Sequence, residues 1–465
     1  MATEPGARSR VLRAVAVLAA VAASAVVVIT DGDVPWLVRT GQEILRRRAL
    51  PTEELFAYTG HGRPLHHEYL TEVLAALAYD GAGVAGLTAW QCLLLAGVAF
   101  AVSLAPDAEG RTRPFAGWSP VAVAAAAMLL RETLSVRAQC ASNILTALTF
   151  VAVLRDQQGD RRALPLALPL GLLWAQLHGG NPHHTALFGV GFLAAPSARR
   201  FAFTAAAAAL TCVGPYGLRV HAHYLQGTGA LHLIKEWQPL GRVLASGNAH
   251  AIACVAFAAA ACAALVVRWR AGDRSRVELV ALALYAALAF RYARTVSELT
   301  VLSGVVLARS LAPFEAPRWA PRRALSPLVA AGVVALAVAL SPRELGVGFG
   351  GRCPLGAVAW LRAHRPPGPM FNSYNLGGWL MLLYPEERVF LDGRGPTAYP
   401  ERLMVELLAV YRAPARFESL TERHGFRLAV IQPEGNGAPL VAWLRRHPRW
   451  RLRHEDARAL VFTRE

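Results

Sequence analysis

"VVVITDGDVPWLVRTGQEILRRR" occupies Val26–Arg48. It closes an apolar run, Val11 to Thr30, and passes at once into Asp31, Asp33, Pro35, Trp36 and a basic end at Arg46, Arg47 and Arg48. An apolar run that stops at two acids is a membrane boundary, and its flanks decide which one. Arg8 and Arg10 precede the run and Arg13 stands at its start, so the positive-inside rule keeps the start of the chain in the cytoplasm and sets Asp31 outside. Ala23, Ser24 and Ala25 have the small-residue character of a signal-peptidase site, and cleavage there would leave Asp31 on the same side.

The rest of the chain repeats this texture. Apolar residues make up 54% of the 465 positions and charged ones 17%, against about 25% charged in soluble domains. Further runs cover 84–105, 120–130, 138–154, 163–177, 185–195, 201–213, 249–267, 277–290, 296–311 and 325–340. Many approach the roughly 20 residues needed to cross a hydrocarbon core of about 30 Å. With the first they make about eleven spans, in a range of 11 to 13; Tyr69–Tyr79 is amphipathic and either lies in the interface or pairs with Val84 onward as an extra span, and the arginine pattern favours an odd total. Counting in this way collects Arg111/Arg113, Arg155/Arg161/Arg162, Arg199/Arg200, Arg268/Arg270/Arg274/Arg276 and Arg309/Arg318/Arg322/Arg323 in cytoplasmic loops. Residues 31–79, the turn 178–184, the loop 214–248, the turn 291–295 and everything after Ser341 then face outward.

The formal charge of +17 does not point to nucleic acid, because the basic residues are almost all Arg, with Lys235 the exception. Six scattered cysteines without a CxxC spacing indicate neither a disulfide framework nor a thiolate metal site. After about Arg352 the texture becomes that of an α/β domain. Helices are expected at "PLGAVAWLRAH", "ERLMVELLAVYR" and "PLVAWLRRHP", strands at "RVFLDGR" and "FRLAVIQP", and a hairpin at "WRLRHEDARALVFTRE". The expected organisation is a transmembrane domain, 1–345, carrying an outer loop, 31–83, followed by an extracytoplasmic domain, 346–465.

Chemistry collects on the outward side. Asp31 and Asp33 precede Pro35, which suits a helix start; the pair can hold a hard cation such as Mg²⁺ or Mn²⁺, or act as general base, while capping by Asp33 is the plainer role. Trp36 to Arg48 reads as an interfacial helix, its arginines near phosphates. His66, His67 and Glu68 stand at the entrance to the next helix. "LLWAQLHGGNPHH" ends a span with His178 and Asn181, and it lacks HExxH, so polar groups lining a cavity fit better than zinc. Arg291 and Arg294 interrupt apolar sequence and could hold a phosphate or form a tight turn with snorkelling side chains. "FNSYNLGGWLMLLYPEERVFLDGR" brings Asn372, Tyr374, Asn375, Asp392 and Arg394 into a surface suited to sugar hydroxyls, and neither GxGxxG nor a P-loop is present.

In their order, "DGDVPWLVRTGQEILRRR", "HHEYLTEVL", "LLWAQLHGG", "GPYGLR", "EWQPL" and "MFNSYNLGGWLMLLYPEERVFLDGR" resemble a group of bacterial membrane proteins similar to the GT-C superfamily of glycosyltransferases. The resemblance implies transfer of a sugar from a polyprenyl-phosphate carrier to an acceptor glycan, lipid or protein outside the cytoplasmic membrane. It makes Asp31 and Asp33 base or metal ligands. The group carries Trp-Trp-His where this chain has Pro35-Trp36-Leu37, and Asn where it has Gly214. Two other classes stay open, a transporter or flippase of lipid-linked solutes and a catalytically silent scaffold for envelope polysaccharide assembly.

Overall fold

The computed structural model describes residues 7–60, 65–226, 237–314, 325–395 and 398–465. In chain order its helices are α1 (Ala7–Ser24), α2 (Asp33–Arg47), α3 (Tyr69–Ser103), α4 (Ser119–Arg131), α5 (Ala138–Gln157), α6 (Ala163–Leu177), α7 (Pro182–Ala194), α8 (Ala198–Leu210), α9 (Arg219–Gln226), α10 (Leu240–Ala245), α11 (Ala249–Arg270), α12 (Arg276–Arg291), α13 (Val296–Leu311) and α14 (Leu325–Leu340). The C-terminal part adds α15 (Leu355–His364), β1 (Met370–Asn372), α16 (Tyr374–Leu383), α17 (Glu401–Arg412), α18 (Arg416–His424), β2 (Leu428–Ile431), α19 (Ala438–Leu444), β3 (Trp450–Glu455) and β4 (Leu460–Arg464). The chain is therefore mostly helical, with a small four-stranded C-terminal sheet. Arg318, Arg322, Arg323, Lys235, Glu236 and the Gly62–Pro64 start of the histidine segment lie outside the described residues.

Each of the eleven apolar runs is helical over most of its length. Among the described residues three helices, α3, α5 and α11, are long and apolar enough, by length and composition, to cross a membrane. Others are shorter; the 13 residues of α4 extend about 20 Å. The first run is corrected in detail. Helix α1 stops at Ser24, and the β-branched stretch that follows is extended, with bridges from Val27 to Leu345 and from Ile29 to Phe349. β-Branched side chains lose rotamer freedom in a helix and suit an extended backbone. Helix α3 joins Tyr69–Tyr79 to the next apolar run across a kink at Ala82 and Gly83.

The chain forms two compact units. The helical unit comprises Met1–Val27, Thr88–Leu225 and Leu231–Gly346. Its core is lined by α13, buried along nearly its whole length and packed on α4, α5, α11 and α12. Gly304 allows close approach, since a side chain there would press on Ala126 and Val102. Asn248 and Ser275 cap α11 and α12 through the N–H groups of Ala251 and Glu278.

The arginine-rich loops gather at one end of this unit. Gln158 donates to the carbonyl of Asp107 (2.7 Å), Arg200 to Asp156 (2.7 Å), Val277 to the side chain of Gln157 (3.4 Å), and Trp118 to the carbonyl of Leu311 (3.2 Å). Beside them Glu278, fully buried, accepts from Arg268 at 2.6 Å and Arg309 at 2.7 Å. A buried carboxylate stripped of such partners costs about 3–5 kcal/mol, so this network holds the ends of α11, α12 and α13 together.

The second unit is formed mainly by Val28–Leu87 and Val347–Glu465. Residues 31–83 fall in this unit together with the chain after Gly346. Its sheet runs β1-β2-β4-β3, with β1 and β2 parallel and the other pairs antiparallel. The expected helices at 355–364, 401–412 and 438–444, the strand at 428–431 and the terminal hairpin are all present. "RVFLDGR" is not a strand; it makes one bridge, Val389 to Ala57, and then turns. Its residues are fixed by side chains instead: Asn372 accepts from the N–H of Phe390 at 2.7 Å and donates to the carbonyl of Leu391 at 2.7 Å.

Candidate functional site

Within the second unit the head of α2 meets two neighbouring segments from far along the chain, helix α16 and the loop Asp392–Arg394. Glycines make the meeting close. A side chain at Gly378 would strike the carbonyl of Gly32, one at Gly377 would strike the backbone of Leu391 and Asp392, and one at Gly393 would strike the carboxylate of Asp33. On its other flank α2 approaches the start of α3 through Gly41, where a side chain would overlap the carbonyl of Glu72.

The acid pair divides its work differently from the expected capping. Asp31 Oδ1 accepts from the backbone N–H of Asp33 at 3.0 Å, so Asp31 tends the helix start. Asp33 is the first helical residue, and its Oδ1 accepts from the indole of Trp36 at 3.2 Å. Both acids are partly exposed, whereas Trp36 and Leu37 are buried. The helix does not have the single buried stripe of an interfacial helix: Val34 through Val38, Thr40, Gly41, Glu43 and Ile44 are all buried. At its end Arg46 and Arg47 both pair with Glu43. The hydrogen bond from Arg46, opposed by burial and joined by Arg47, draws the Glu43 carboxyl down to about 2.

The expected sugar-binding surface separates into two parts. Asn375 is exposed and donates to Gln432 at 3.2 Å; Tyr374 is partly exposed and donates to the carbonyl of Gly393 at 3.2 Å. Asn372, Asp392 and Arg394 are instead buried. Arg394 holds both oxygens of Asp392, through Nε at 2.9 Å and Nη2 at 2.7 Å, and both oxygens of Glu54 at 2.9 and 3.0 Å. Tyr399 donates to Asp392 as well. Burial opposes ionisation of Asp392, but Arg394 and Tyr399 outweigh it and hold the carboxyl below its ordinary value. Burial, reinforced by the charge of Asp392, pushes the Tyr399 hydroxyl well up, which keeps it a donor. These three predicted residues are thus part of an internal lock and not of a surface.

His66 is buried with its Nδ1 3.4 Å from Glu72, itself buried. His67 Nδ1 lies 3.2 Å from the carbonyl of Leu65, and the carbonyl of Glu68 accepts from the N–H of Glu72.

The helical unit holds its own polar chain, at the end away from the arginine loops. Arg294 reaches His178 Nε2 at 3.2 Å and Gln139 Oε1 at 3.4 Å, and stacks over Trp237 at 5.2 Å. Arginine only donates, so His178 Nε2 accepts and the ring carries its proton on Nδ1, 2.6 Å from Ser142 Oγ. Ser142 also accepts from Trp174 at 2.7 Å. Gln139 turns its amide nitrogen to Glu298, which also accepts from Ser297 at 2.9 Å. Asn181, buried, donates to the carbonyl of Thr211 at 3.2 Å. Arg291 is exposed, stacked on Tyr292 at 4.7 Å, and does not share the surroundings of Arg294.

The structure therefore brings Asp31, Asp33, Trp36 and Tyr374 together in one unit and His178 with Arg294 in the other. Glu54, Tyr399, Gly393, Ser142, Gln139 and Glu298 were not singled out in the sequence. Glu298 carried a signal, an acid inside an apolar run, where an ionisable group is costly unless it has partners. Among the described residues no group of three or more His, Cys, Asp or Glu could hold a metal ion. A cation on Asp31 and Asp33 would complete its oxygen shell from water or a substrate phosphate, as Mg²⁺ commonly does. No family model matches the chain, and no curated protein matches it.

Proposed function

We propose that the chain is a GT-C-like membrane glycosyltransferase that moves a sugar from a polyprenyl-phosphate carrier to an acceptor hydroxyl outside the bacterial cytoplasmic membrane. On this reading about eleven helices lie in the membrane, the arginine loops face the cytoplasm and the C-terminal domain lies outside. Two features support that placement: the gathered arginine loops, and the large apolar side chains that the helical unit exposes, among them Leu166, Leu193, Phe201, Val267, Phe290 and Leu340.

The observation that carries the reading is the convergence of "DGD", "YNLGGW" and "DGR", three segments of the family resemblance, around the partly exposed carboxylate of Asp33. In the proposed step the acceptor oxygen attacks the anomeric carbon and the bond from that carbon to the phosphate oxygen breaks. The hydroxyl proton passes to Asp33, and the polyprenyl phosphate leaves with the bonding electron pair. Asp31 holds the backbone of Asp33 in place.

The test is a panel of radiolabelled polyprenyl-phosphate sugars offered to the purified chain in lipid nanodiscs with a crude envelope acceptor fraction. One donor should lose its label to the acceptor as polyprenyl phosphate appears. Retention of label on every donor would set the reading aside.

A further inference from the structure

The loop Asp392-Gly393-Arg394 is built with more effort than a turn requires. Arg394 is clamped between Asp392 and Glu54, and Glu54 in turn accepts the backbone N–H groups of Phe56 at 2.8 Å and Ala57 at 2.9 Å. Asp392 accepts the N–H of Arg394 at 3.0 Å, which closes the loop on itself. The residue between them, Gly393, has its carbonyl tied to Tyr374 and its α-carbon turned to Asp33. The space a side chain would fill is occupied by Asp33 Oδ1, with Trp36 Nε1 3.3 Å from the same point. Gly393 carries no positive φ among the residues in that class, so close approach, and not backbone conformation, is what calls for glycine here.

We propose that this loop is a seat that sets the position of the Asp33 carboxylate. Gly393 is the positioning residue, Trp36 fixes the carboxylate by its indole N–H, and Arg394 holds the seat rigid from behind. The proposal rests on the reading of Asp33 as the base and adds what aims it. A carboxylate displaced by a methyl group at 393 must move by about 1 Å to reach ordinary contact, and a shift of that size at a reacting group can cost about a hundredfold in rate.

Trp36 supplies a readout that needs no substrate. The chain is labelled with 5-fluorotryptophan, and the Trp36 resonance is assigned by its loss in Trp36→Phe. In Gly393→Ala this resonance should shift while the melting temperature stays close to that of the parent. Gly348→Ala, in the same unit and with open space around it, should leave the resonance in place. Asp33→Asn, of nearly unchanged shape, should shift it as well, and provides the test if Gly393→Ala does not fold. An unmoved Trp36 resonance in Gly393→Ala, or in Asp33→Asn, overturns the proposal. In the transfer assay Gly393→Ala should lose kcat about a hundredfold with KM little changed; an unchanged kcat also overturns it. A shifted resonance in a chain whose parent transfers no sugar upholds the seat and removes only the proposed function.

Discussion

Replacing Arg394 by glutamine takes the cation from between two buried carboxylates. Arg394 makes hydrogen bonds to both oxygens of Asp392 and both of Glu54, and its side chain is 6% exposed. Glutamine keeps one donor group, cannot reach both acids and leaves buried negative charge without compensation, a loss of about 3–5 kcal/mol. Cys353 reports it. This thiol belongs to the same unit, is 7% exposed and is pushed up to about 12 by burial. Alkylation therefore waits for local opening, and its rate follows the opening free energy. The other five cysteines lie in the helical unit and are separated as different peptides by mass spectrometry. In Arg394→Gln the alkylation rate of Cys353 should rise by about a hundredfold to a few thousandfold, at 1.4 kcal/mol per tenfold. Arg423→Gln breaks the exposed pair with Glu406 and should change the rate less than about fivefold. Equal rates in the two variants would refute the claim that Arg394 is a lock.

Gly41→Ala drives a methyl group into the backbone of Glu72, which cannot yield as a side chain would; about 1–3 kcal/mol of overpacking should appear as a rise of about fivefold to about a hundredfold in the same alkylation rate. Acidification should loosen the second unit in a defined window. The folded values of Glu43 and Asp392 lie below their ordinary ones, so their contribution is present above about pH 4.5 and is lost as pH falls toward about 2. Amide protection over residues 33–47, measured relative to intrinsic exchange at each pH, should be flat above that window and fall within it, and a fall centred above pH 6 would contradict the assignment. With Cys262 replaced by serine, an impermeant maleimide should label Asn436→Cys on intact spheroplasts and Arg161→Cys only after permeabilisation; the reverse pattern would invert the topology.

Hydrophobic patterning made the helical unit legible, because apolar runs that long have few folded alternatives. Val26–Thr30 escaped it: composition read the stretch as the end of a helix, while its β-branched side chains prefer the extended bridges to Leu345 and Phe349 that the structure shows. Strand β1 and helix α16 were hidden in "MFNSYNLGGWLMLL", whose amide and aromatic residues suggested a surface for sugar hydroxyls. Its glycines are there because α2 and the Asp392 loop come within contact of the helix, a requirement set by tertiary packing and silent in local propensity. The same limit applies to Asp392 and Arg394. Their charge suggested a surface, yet their partner Glu54 is 340 residues from Arg394, a separation that no local pattern reveals. Asp31 and Asp33 stood out by their place after an apolar run, and the helix-start bond expected of Asp33 is made by Asp31.

The acid pair is the centre of this account, and the most direct measurement is turnover of a polyprenyl-phosphate sugar by the purified parent chain beside Asp31→Asn and Asp33→Asn. The parent should turn over. Asp33→Asn should fall by a factor of about a hundred or more, the loss typical of a missing general base, and Asp31→Asn, which disturbs only the backbone of Asp33, should fall less. Equal turnover in all three proteins would remove the acid pair from the chemistry.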